Sequence, residues 1–377
     1  MTTRLAFGQF CSAVRRKGAL ALCLALCTLG LGFSGSAPDP SITTFNARHA
    51  GTGSGQGTFA IGINPLGAIM GYYLNADNVY HSFLRAPDGS ITTFKAPGAG
   101  TAANQGTFAE GLNPVGEIAG SGVDAAYVAF GFLRAPDGTF ITFDAPDAGT
   151  ALGQGTFAGN INLEGTIAGY YIDGGDVSHG FLRSPAGAFT TFDPTGSVGT
   201  VIPSFTGLNQ EGVITGYYMD SSGVNHGFVR APDGSITTFD AGTGAGSGQG
   251  TFATSINLFG VITGYYTDAS GVSHGFVRAA GGSITTFDAG TGAGSGQGTF
   301  ATSINLFGAI TGEYLDESSV FHGFVRAPRG SITTFNVLGA GTGASQGTEP
   351  ISNDPEGGIT GYYIDGDNVS HGFVRTP

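Results

Sequence analysis

Short runs of alternating apolar and polar residues, separated by turn-forming residues, recur along most of the chain. In one copy of this pattern they predict strands over residues 205–209, 213–220, 224–230 and 235–240. The runs are rich in β-branched and aromatic residues, and Gly, Pro, Asn and Asp lie between them, which is typical of strands joined by tight turns. Residues 37–377 show no sustained helical period, so the pattern predicts an all-β fold.

The four-strand pattern belongs to a unit of about 48 residues that is present seven times. An arginine ends the third predicted strand of every unit and recurs in steps of 47 to 49 residues, at Arg85, Arg134, Arg183, Arg230, Arg278, Arg326 and Arg375. Units five and six share an identical segment, residues 235–260 and 283–308, which indicates duplication of a whole structural unit. A period of this size is typical of a solenoid, a propeller or an array.

The two ends of the chain indicate that the units form a closed ring. The chain stops just after Arg375, whereas every earlier unit continues into a fourth strand. The missing strand is present near the start, at Ser41–Phe45, and would pair with residues 369–375. We therefore expect a seven-bladed β-propeller of four-stranded blades, because this pairing removes exposed sheet edges. An open β-solenoid is the alternative, but it requires capping units that neither end shows.

The first residues are typical of a secretory signal peptide. Arg4, Arg15, Arg16 and Lys17 precede an apolar run over residues 18–33, which small residues follow. An uncleaved anchor is the alternative, although the run is shorter than the roughly 20 residues of a membrane span. We expect a signal peptide over 1–36, one propeller over 37–377, and an extracellular, cell-surface or periplasmic location. The units are expected at about 57–105, 106–154, 155–202, 203–249, 250–297, 298–346 and 347–377, the last completed by 38–56.

Composition narrows the classes of partner. Cys11, Cys23 and Cys27 all lie in the leader, so the mature chain has no disulfide or thiolate metal site. Removing the leader leaves ten basic residues against 27 acidic ones. Such a surface repels phosphate backbones, so nucleic acid is not an expected partner. We expect a monomer with no membrane span after signal removal and no cofactor.

Histidines recur inside the third predicted strand of six units, at His81, His179, His226, His274, His322 and His371. Each lies near a tyrosine across the hairpin, which favours a buried, hydrogen-bonded structural role, and Phe130 takes the place in unit two. Metal ligation is not expected, because equivalent residues of separate blades do not converge. The repeated arginines should bond turn carbonyls or acids such as Asp88; a ring for an anionic partner is the alternative.

Aspartates end the second and fourth predicted strands, and we expect them at the opposite end of each blade from the arginines. Asp220 and Asp268 represent this set. They either open tight turns or contribute to a surface that binds Ca²⁺ or a polyhydroxyl ligand. Tyrosine pairs precede these aspartates in most units, for example Tyr217 and Tyr218. Because adjacent strand residues face opposite sides, one ring of each pair should pack towards each neighbouring blade.

A specific site requires positions where the repeat is broken. In unit six Glu313 replaces the first tyrosine, and in unit seven Glu349, Asn353 and Asp354 replace Phe, an apolar residue and Asn. Further breaks are Ser121, Gly122 and Phe130 in unit two and Val201-Ile202-Pro203 at the start of unit four. Glu349 and Asn353 put polar groups on an inner strand that is apolar elsewhere, which favours a binding site there. Neutral drift of the closing unit is the alternative.

The repeat also resembles a known family. His-Gly-Phe segments begin at His179, His226, His274, His322 and His371, and His-Ser-Phe begins at His81. With the Asn-x-x-Gly and Gly-Tyr-Tyr segments upstream, they resemble the bacterial extracellular HAF repeats, named for His-Ala-Phe. The resemblance covers almost all of residues 37–377. It implies export and repetition but no reaction, and the Gly in place of Ala marks a divergent branch.

The sequence therefore favours an exported binding or scaffold module, with a carbohydrate or a protein as partner. One alternative is a propeller enzyme such as a polysaccharide lyase or a glycoside hydrolase, which requires a single asymmetric carboxylate site. The near-identity of the units argues against it. A purely structural spacer is the other alternative.

Overall fold

The computed structural model describes residues 40–203 and 206–377, and their regular structure consists of strands and turns. The all-β prediction is confirmed. The predicted signal peptide over residues 1–36 lies outside the described residues. Within 40–203 and 206–377, no helix has the length and apolar character needed to cross a membrane.

The described residues form 28 strands: units one to six supply four each, unit seven supplies three, and β1 lies near the start of the chain. Strand β1 is Ser41–Phe45; units one to three are β2 Gly57–Ile63, β3 Ile69–Leu74, β4 Tyr80–Arg85, β5 Ile91–Phe94, β6 Gly106–Leu112, β7 Ile118–Val123, β8 Ala129–Arg134, β9 Phe140–Phe143, β10 Gly155–Ile161, β11 Ile167–Ile172, β12 Ser178–Arg183 and β13 Phe189–Phe192. Units four to six are β14 Gly199–Val201, β15 Ile214–Met219, β16 Asn225–Arg230, β17 Ile236–Phe239, β18 Gly250–Ile256, β19 Ile262–Thr267, β20 Ser273–Arg278, β21 Ile284–Phe287, β22 Gly298–Ile304, β23 Ile310–Leu315, β24 Phe321–Arg326 and β25 Ile332–Phe335. Unit seven has β26 Gly347–Asn353, β27 Ile359–Ile364 and β28 Ser370–Thr376.

Within each unit, the strands pair antiparallel in chain order. Unit seven has three strands of its own, and its fourth partner comes from the start of the chain. Strand β1 pairs antiparallel with β28, in a register that runs from Ser41 opposite Thr376 to Phe45 opposite Gly372. This is the pairing that the sequence predicts for the two ends.

Unit four departs from the prediction at its first strand. The predicted strand over residues 205–209 is wrong for the described residues 206–209, because β14 lies earlier and its Thr200 pairs with Tyr218 of β15. Further along the pair formed by the first two strands of this unit, Leu208 and Ile214 form an isolated bridge. Pro203 lacks the N–H group that a ladder requires, so the strand stops before it. The Gly-Thr pair that opens the other first strands is therefore retained as Gly199-Thr200, and the inserted residues follow it.

In six of the seven units, a glycine joins the first strand to the third strand of the preceding unit. Gly298 forms a parallel bridge with Ser273 and has a φ of 106°. A β-carbon at this position would overlap the carbonyl oxygen of Ser273. Gly57 makes the same bridge with Ser370 of β28, with a φ of 122°. Close backbone approach and positive φ both demand glycine at these joints.

The Gly298→Ala variant is expected to lower the free energy of unfolding by roughly 2 kcal/mol, through backbone strain and the overlap with Ser273. Gly281 is the matched control, since no atom lies within 4 Å of a β-carbon placed there. Urea denaturation of both alanine variants measures the difference. Equal stability of the two variants would contradict this account of the joint.

The hydrophobic core lies where consecutive units meet. The phenylalanine of each third strand is completely buried: Phe83, Phe132, Phe181, Phe228, Phe276, Phe324 and Phe373. Phe276 packs edge-to-face on Phe239 from the fourth strand of the preceding unit, with ring centroids 6.0 Å apart. Phe83 packs in the same way on Phe45 of β1. Burial of each ring contributes about 2 kcal/mol, so neighbouring units stabilise each other.

Each repeated arginine lies over the fourth-strand phenylalanine of the preceding unit, at the boundary between the two units. The guanidinium carbon of Arg278 is 4.8 Å from the centroid of the Phe239 ring, and that of Arg85 is 5.0 Å from the Phe45 ring. The predicted turn-carbonyl contact is also present, since Arg230 donates to Ala231 O at 3.3 Å. The cation–π contact was not predicted from the sequence. It fastens every unit to the one before it.

Candidate functional site

Histidine bridges two carboxylates at one end of a regular unit. In unit four the His226 ring stacks on Tyr218, with centroids 5.1 Å apart. Its Nδ1 lies 2.8 Å from Asp240 and its Nε2 lies 3.4 Å from Asp220. Partial burial lowers the pKa of His226, but the two aspartates outweigh this effect and raise it. The histidine thus acts as a pin between two turns.

The other histidines have the same surroundings, with small differences. His81, His179, His274, His322 and His371 each stack on the second tyrosine of their unit. The side chains of the five that bridge acids or amides are 21% to 24% exposed. These histidines are therefore partly buried, whereas the sequence predicts that they are buried. The stack lies near the surface because it covers the ends of the strands.

Asp220 and Asp268 serve their own turns. Oδ1 of Asp220 accepts hydrogen bonds from the backbone N–H of Val224 and of Ser222, and these bonds lower the pKa of Asp220. Asp268 does the same in unit five. Asp220 and Arg230 lie at opposite ends of their hairpin, since Ile214 pairs with Arg230. We call the end that carries Asp220, His226 and the turns between second and third strands the hairpin face.

No convergent metal-ligand set occupies this face. In the part of the chain that the structure describes, no three His, Cys, Asp or Glu side chains lie close enough together to hold a metal ion. Asp173, for example, bonds its own turn and the histidine of its own unit. The repeated polar positions therefore do not form one shared site.

Unit two lacks the pin. Gly122 stands where the other units have the second tyrosine, and Phe130 stands where they have histidine. A β-carbon on Gly122 would overlap the Phe130 ring. The ring therefore fills the space that a tyrosine occupies elsewhere. As a result, no histidine lies between the two aspartates of this unit, Asp124 and Asp144.

A cavity of about 580 Å³ opens at this position. Asp124, Asp144, Thr142 and Phe130 line it, together with the loop that follows β9. Burial, and then the charge of Asp124, raises the pKa of Asp144. Oδ1 of Asp124 still accepts the turn N–H groups of Ala126 and Val128. We call this space the unit-two cavity.

A second cavity, of about 340 Å³, lies on the other side of the same hairpin. Tyr127, Leu152 and Phe157 are among its lining residues, and the Leu152 side chain is largely exposed. Ala129, which also lines it, stands where unit one has Tyr80, whose ring packs on Phe108. Three other units have a serine at this position, so the small residue is not specific to unit two.

The boundary between units six and seven carries two buried carboxyl groups. Glu313 lies opposite Phe300 in its ladder, and Glu349 lies opposite Tyr362. The hydroxyl of Tyr362 donates to Glu349 Oε2 at 2.7 Å, whereas Glu313 Oε2 is buried without a hydrogen-bond partner. Burial raises the pKa of Glu349 to about 7. Burial and the nearby Glu349 charge raise the pKa of Glu313 well above its usual range.

Asn353 and Asp354 have partners of their own. Oδ1 of Asn353 accepts a hydrogen bond from the Ser303 hydroxyl at 2.9 Å, and its Nδ2 donates to Ala309 O. Oδ1 of Asp354 accepts from Gly358 N at 2.8 Å. The structure brings Glu313 and Glu349 together, but it places Asn353 and Asp354 in contacts that fasten unit seven to unit six and close a turn.

Sequence reasoning noted the breaks in unit two but did not place a cavity there. The available signal was the loss of both the tyrosine and the histidine from one unit. In the sequence, Asp144 is one of several strand-end aspartates and does not stand out. The position of the Phe130 ring sets Asp144 apart from the other strand-end aspartates. Comparing the sequences of the units does not reveal that position.

No family model and no curated protein matches this chain. Among solved structures, it is similar to AofleA from Arthrobotrys oligospora (12% identity, TM-score 0.43, covering 89% of this chain and 86% of that one). It is also similar to the Aleuria aurantia lectin in complex with Fucα1-6GlcNAc (11%, 0.43, 88% and 93%). A third is puromycin hydrolase (11%, 0.48), where the match covers 87% of this chain and 53% of that one. Likenesses at this level assign no function.

Proposed function

We propose that this protein is an exported, closed seven-bladed β-propeller that binds carbohydrate in the unit-two cavity. The repeated polar residues are occupied by structural contacts. A ligand smaller than the ring therefore uses a place where one blade differs from the others. The unit-two cavity is the observation that carries the proposal.

Closure is supported by the contacts between units seven and one. The Gly57–Ser370 bridge, the edge-to-face pair of Phe45 with Phe83 and the cation–π contact of Arg85 with Phe45 join these units. Units four and five are joined by the same three kinds of contact. A chain whose two ends are joined by the same contacts as an internal boundary fits a ring.

The chemistry of the unit-two cavity suits a polyhydroxyl ligand. Carboxylates such as those of Asp124 and Asp144 accept hydrogen bonds from neighbouring sugar hydroxyls, and the Thr142 hydroxyl both donates and accepts. The Phe130 ring supplies an apolar surface for the C–H face of a sugar. Two carboxylates are too few for a calcium site, which takes six to eight oxygens. The strongly acidic balance of the chain disfavours anionic ligands.

A glycan array probed with the full chain tests the proposal, followed by calorimetric titration of the sugars that bind. The Asp144→Asn variant is expected to weaken binding about 10-fold or more, because a charge-assisted hydrogen bond contributes about 1.5–3 kcal/mol. The double variant with Gly122→Tyr and Phe130→His restores the tyrosine–histidine stack, fills the cavity and should abolish binding. Binding is expected to be unchanged by EDTA.

The matched control is Asp240→Asn, which removes the equivalent strand-end carboxylate from unit four, where His226 covers it. This variant should bind within about 2-fold of the unaltered chain. If the restored double variant bound sugar normally, or if no glycan bound at all, the proposal would fail. Turnover of a polysaccharide by the full chain would instead favour the enzyme class.

A further inference from the structure

The carboxyl pair between units six and seven is separate from the unit-two cavity and has no part in the proposed carbohydrate site. At four other boundaries a tyrosine of one unit contacts a phenylalanine of the next, as Tyr265 contacts Phe300 with centroids 5.0 Å apart. Tyr217 with Phe252 and Tyr362 with Phe59 repeat this contact. Only at the boundary between units six and seven do Glu313 and Glu349 replace both rings.

The two carboxyl groups are incompletely paired. Tyr362 covers one oxygen of Glu349. In the residues that the structure describes, Glu313 Oε2 is the buried carboxylate oxygen that lacks a hydrogen-bond partner. Neither glutamate forms an ion pair with an arginine, lysine or histidine of the described residues, where the ion pairs all join histidine to aspartate. Buried carboxyl groups without partners destabilise a fold. A cationic hydrogen-bond donor would therefore stabilise this pair.

We propose that Glu313 and Glu349 form a binding site for the ammonium group of a small organic amine. An ammonium group has three N–H donors, which match Glu313 Oε2 and the free acceptor positions of Glu349. The Phe300 and Tyr362 rings stand opposite the two glutamates, and cross-strand neighbours lie about 5 Å apart. Aromatic faces beside carboxylates attract organic cations.

A metal ion fits this site less well. Hard cations such as Ca²⁺ require six to eight oxygen ligands, and the described residues contain no cluster of three acidic, histidine or cysteine side chains. Both glutamates retain some accessible surface. The first strands of units six, seven and one contact one another, and Glu349 lies on the first strand of unit seven. Because Glu313 Oε2 itself is buried, an amine reaches it only when neighbouring side chains move aside.

Calorimetric titration of the full chain at pH 7 tests the site with four probes: putrescine, glucosamine, N-acetylglucosamine and calcium chloride. Putrescine and glucosamine carry the ammonium group and are expected to bind. N-acetylglucosamine has the same ring without the charge and is expected not to bind here. Binding of putrescine and glucosamine alike identifies the ammonium group as the recognised feature, and binding of glucosamine alone identifies an amino sugar.

The Glu313→Gln and Glu349→Gln variants keep the side-chain shape and should each weaken amine binding at least 10-fold. The double variant with Glu313→Tyr and Glu349→Phe restores the aromatic pair of the other boundaries and should not bind amines. The Asp144→Asn variant should bind amines normally, which separates this site from the proposed carbohydrate site. Amine binding that survives in the restored variant, calcium binding in place of amine binding, or the absence of amine binding to the unaltered chain would overturn the proposal.

Discussion

A chain that begins at Ala47 is expected to lose most of its folding stability relative to one that begins at Pro40. The truncation removes β1 and leaves β28 as an unpaired edge. It also removes Phe45, whose ring lies between Phe83 and Arg85 of unit one. Loss of this partly buried ring removes part of the about 3–5 kcal/mol that a fully buried ring contributes. Because whole domains are stable by only about 5–15 kcal/mol, the remaining chain should unfold near ambient temperature.

Thermal unfolding followed by circular dichroism measures the effect. A peptide of residues 39–47 added in trans should raise the melting temperature of the truncated chain by re-forming the ladder with β28. The same peptide carrying Phe45→Ala is the control, and it should rescue much less, since it retains the strand but not the ring contacts. A truncated chain that keeps the full melting temperature would show that the two ends do not stabilise each other.

The free energy of unfolding is expected to fall as the pH rises from about 4.5 to about 7.5. Burial raises the pKa of Glu349 from 4.5 to about 7, so the folded state holds a proton that the unfolded state has lost over this interval. The unfolded state therefore binds fewer protons, and stability decreases with pH by roughly 3 kcal/mol from this group. Glu313, whose pKa is also raised, changes stability in the same direction.

Urea denaturation at a series of pH values provides the test. The double variant with Glu313→Gln and Glu349→Gln should show a flatter profile over the same interval. Histidines such as His226, whose pKa is raised, also lose stabilising charge as the pH rises. Because the variant keeps these histidines, the difference between the two profiles reports the glutamates alone. Superimposable profiles would contradict the burial of this pair.

Much of the fold follows from local sequence signals. Strands such as Ile214–Met219 are short β-branched and aromatic runs, and the turns between them carry Asp and Gly at the required places. The separation of Asp220 from Arg230 follows from counting residues along a hairpin, and the pairing confirms it. The partner of β1 could be predicted because a repeat with a missing strand at one end has that strand at the other.

Other features depend on contacts between units, which the repeat pattern does not reveal. Each arginine finds its aromatic partner in the preceding unit, so no spacing inside one unit predicts the Arg278–Phe239 contact. The first strand of unit four was misplaced because an insertion beside Pro203 shifted the alignment. The unit-two cavity arises from the direction in which the Phe130 ring turns, and that direction is set by the room that Gly122 leaves.

Amide hydrogen exchange of the full chain, with and without a sugar that binds on the array, tests the central claim most directly. The account predicts slower exchange only at residues 97–98, 124–130 and 142–150, which surround the unit-two cavity. The equivalent hairpins of the other units should exchange at unchanged rates. Protection spread evenly over all seven hairpins, or protection that spares residues 124–130, would contradict a single site formed by the loss of the histidine pin.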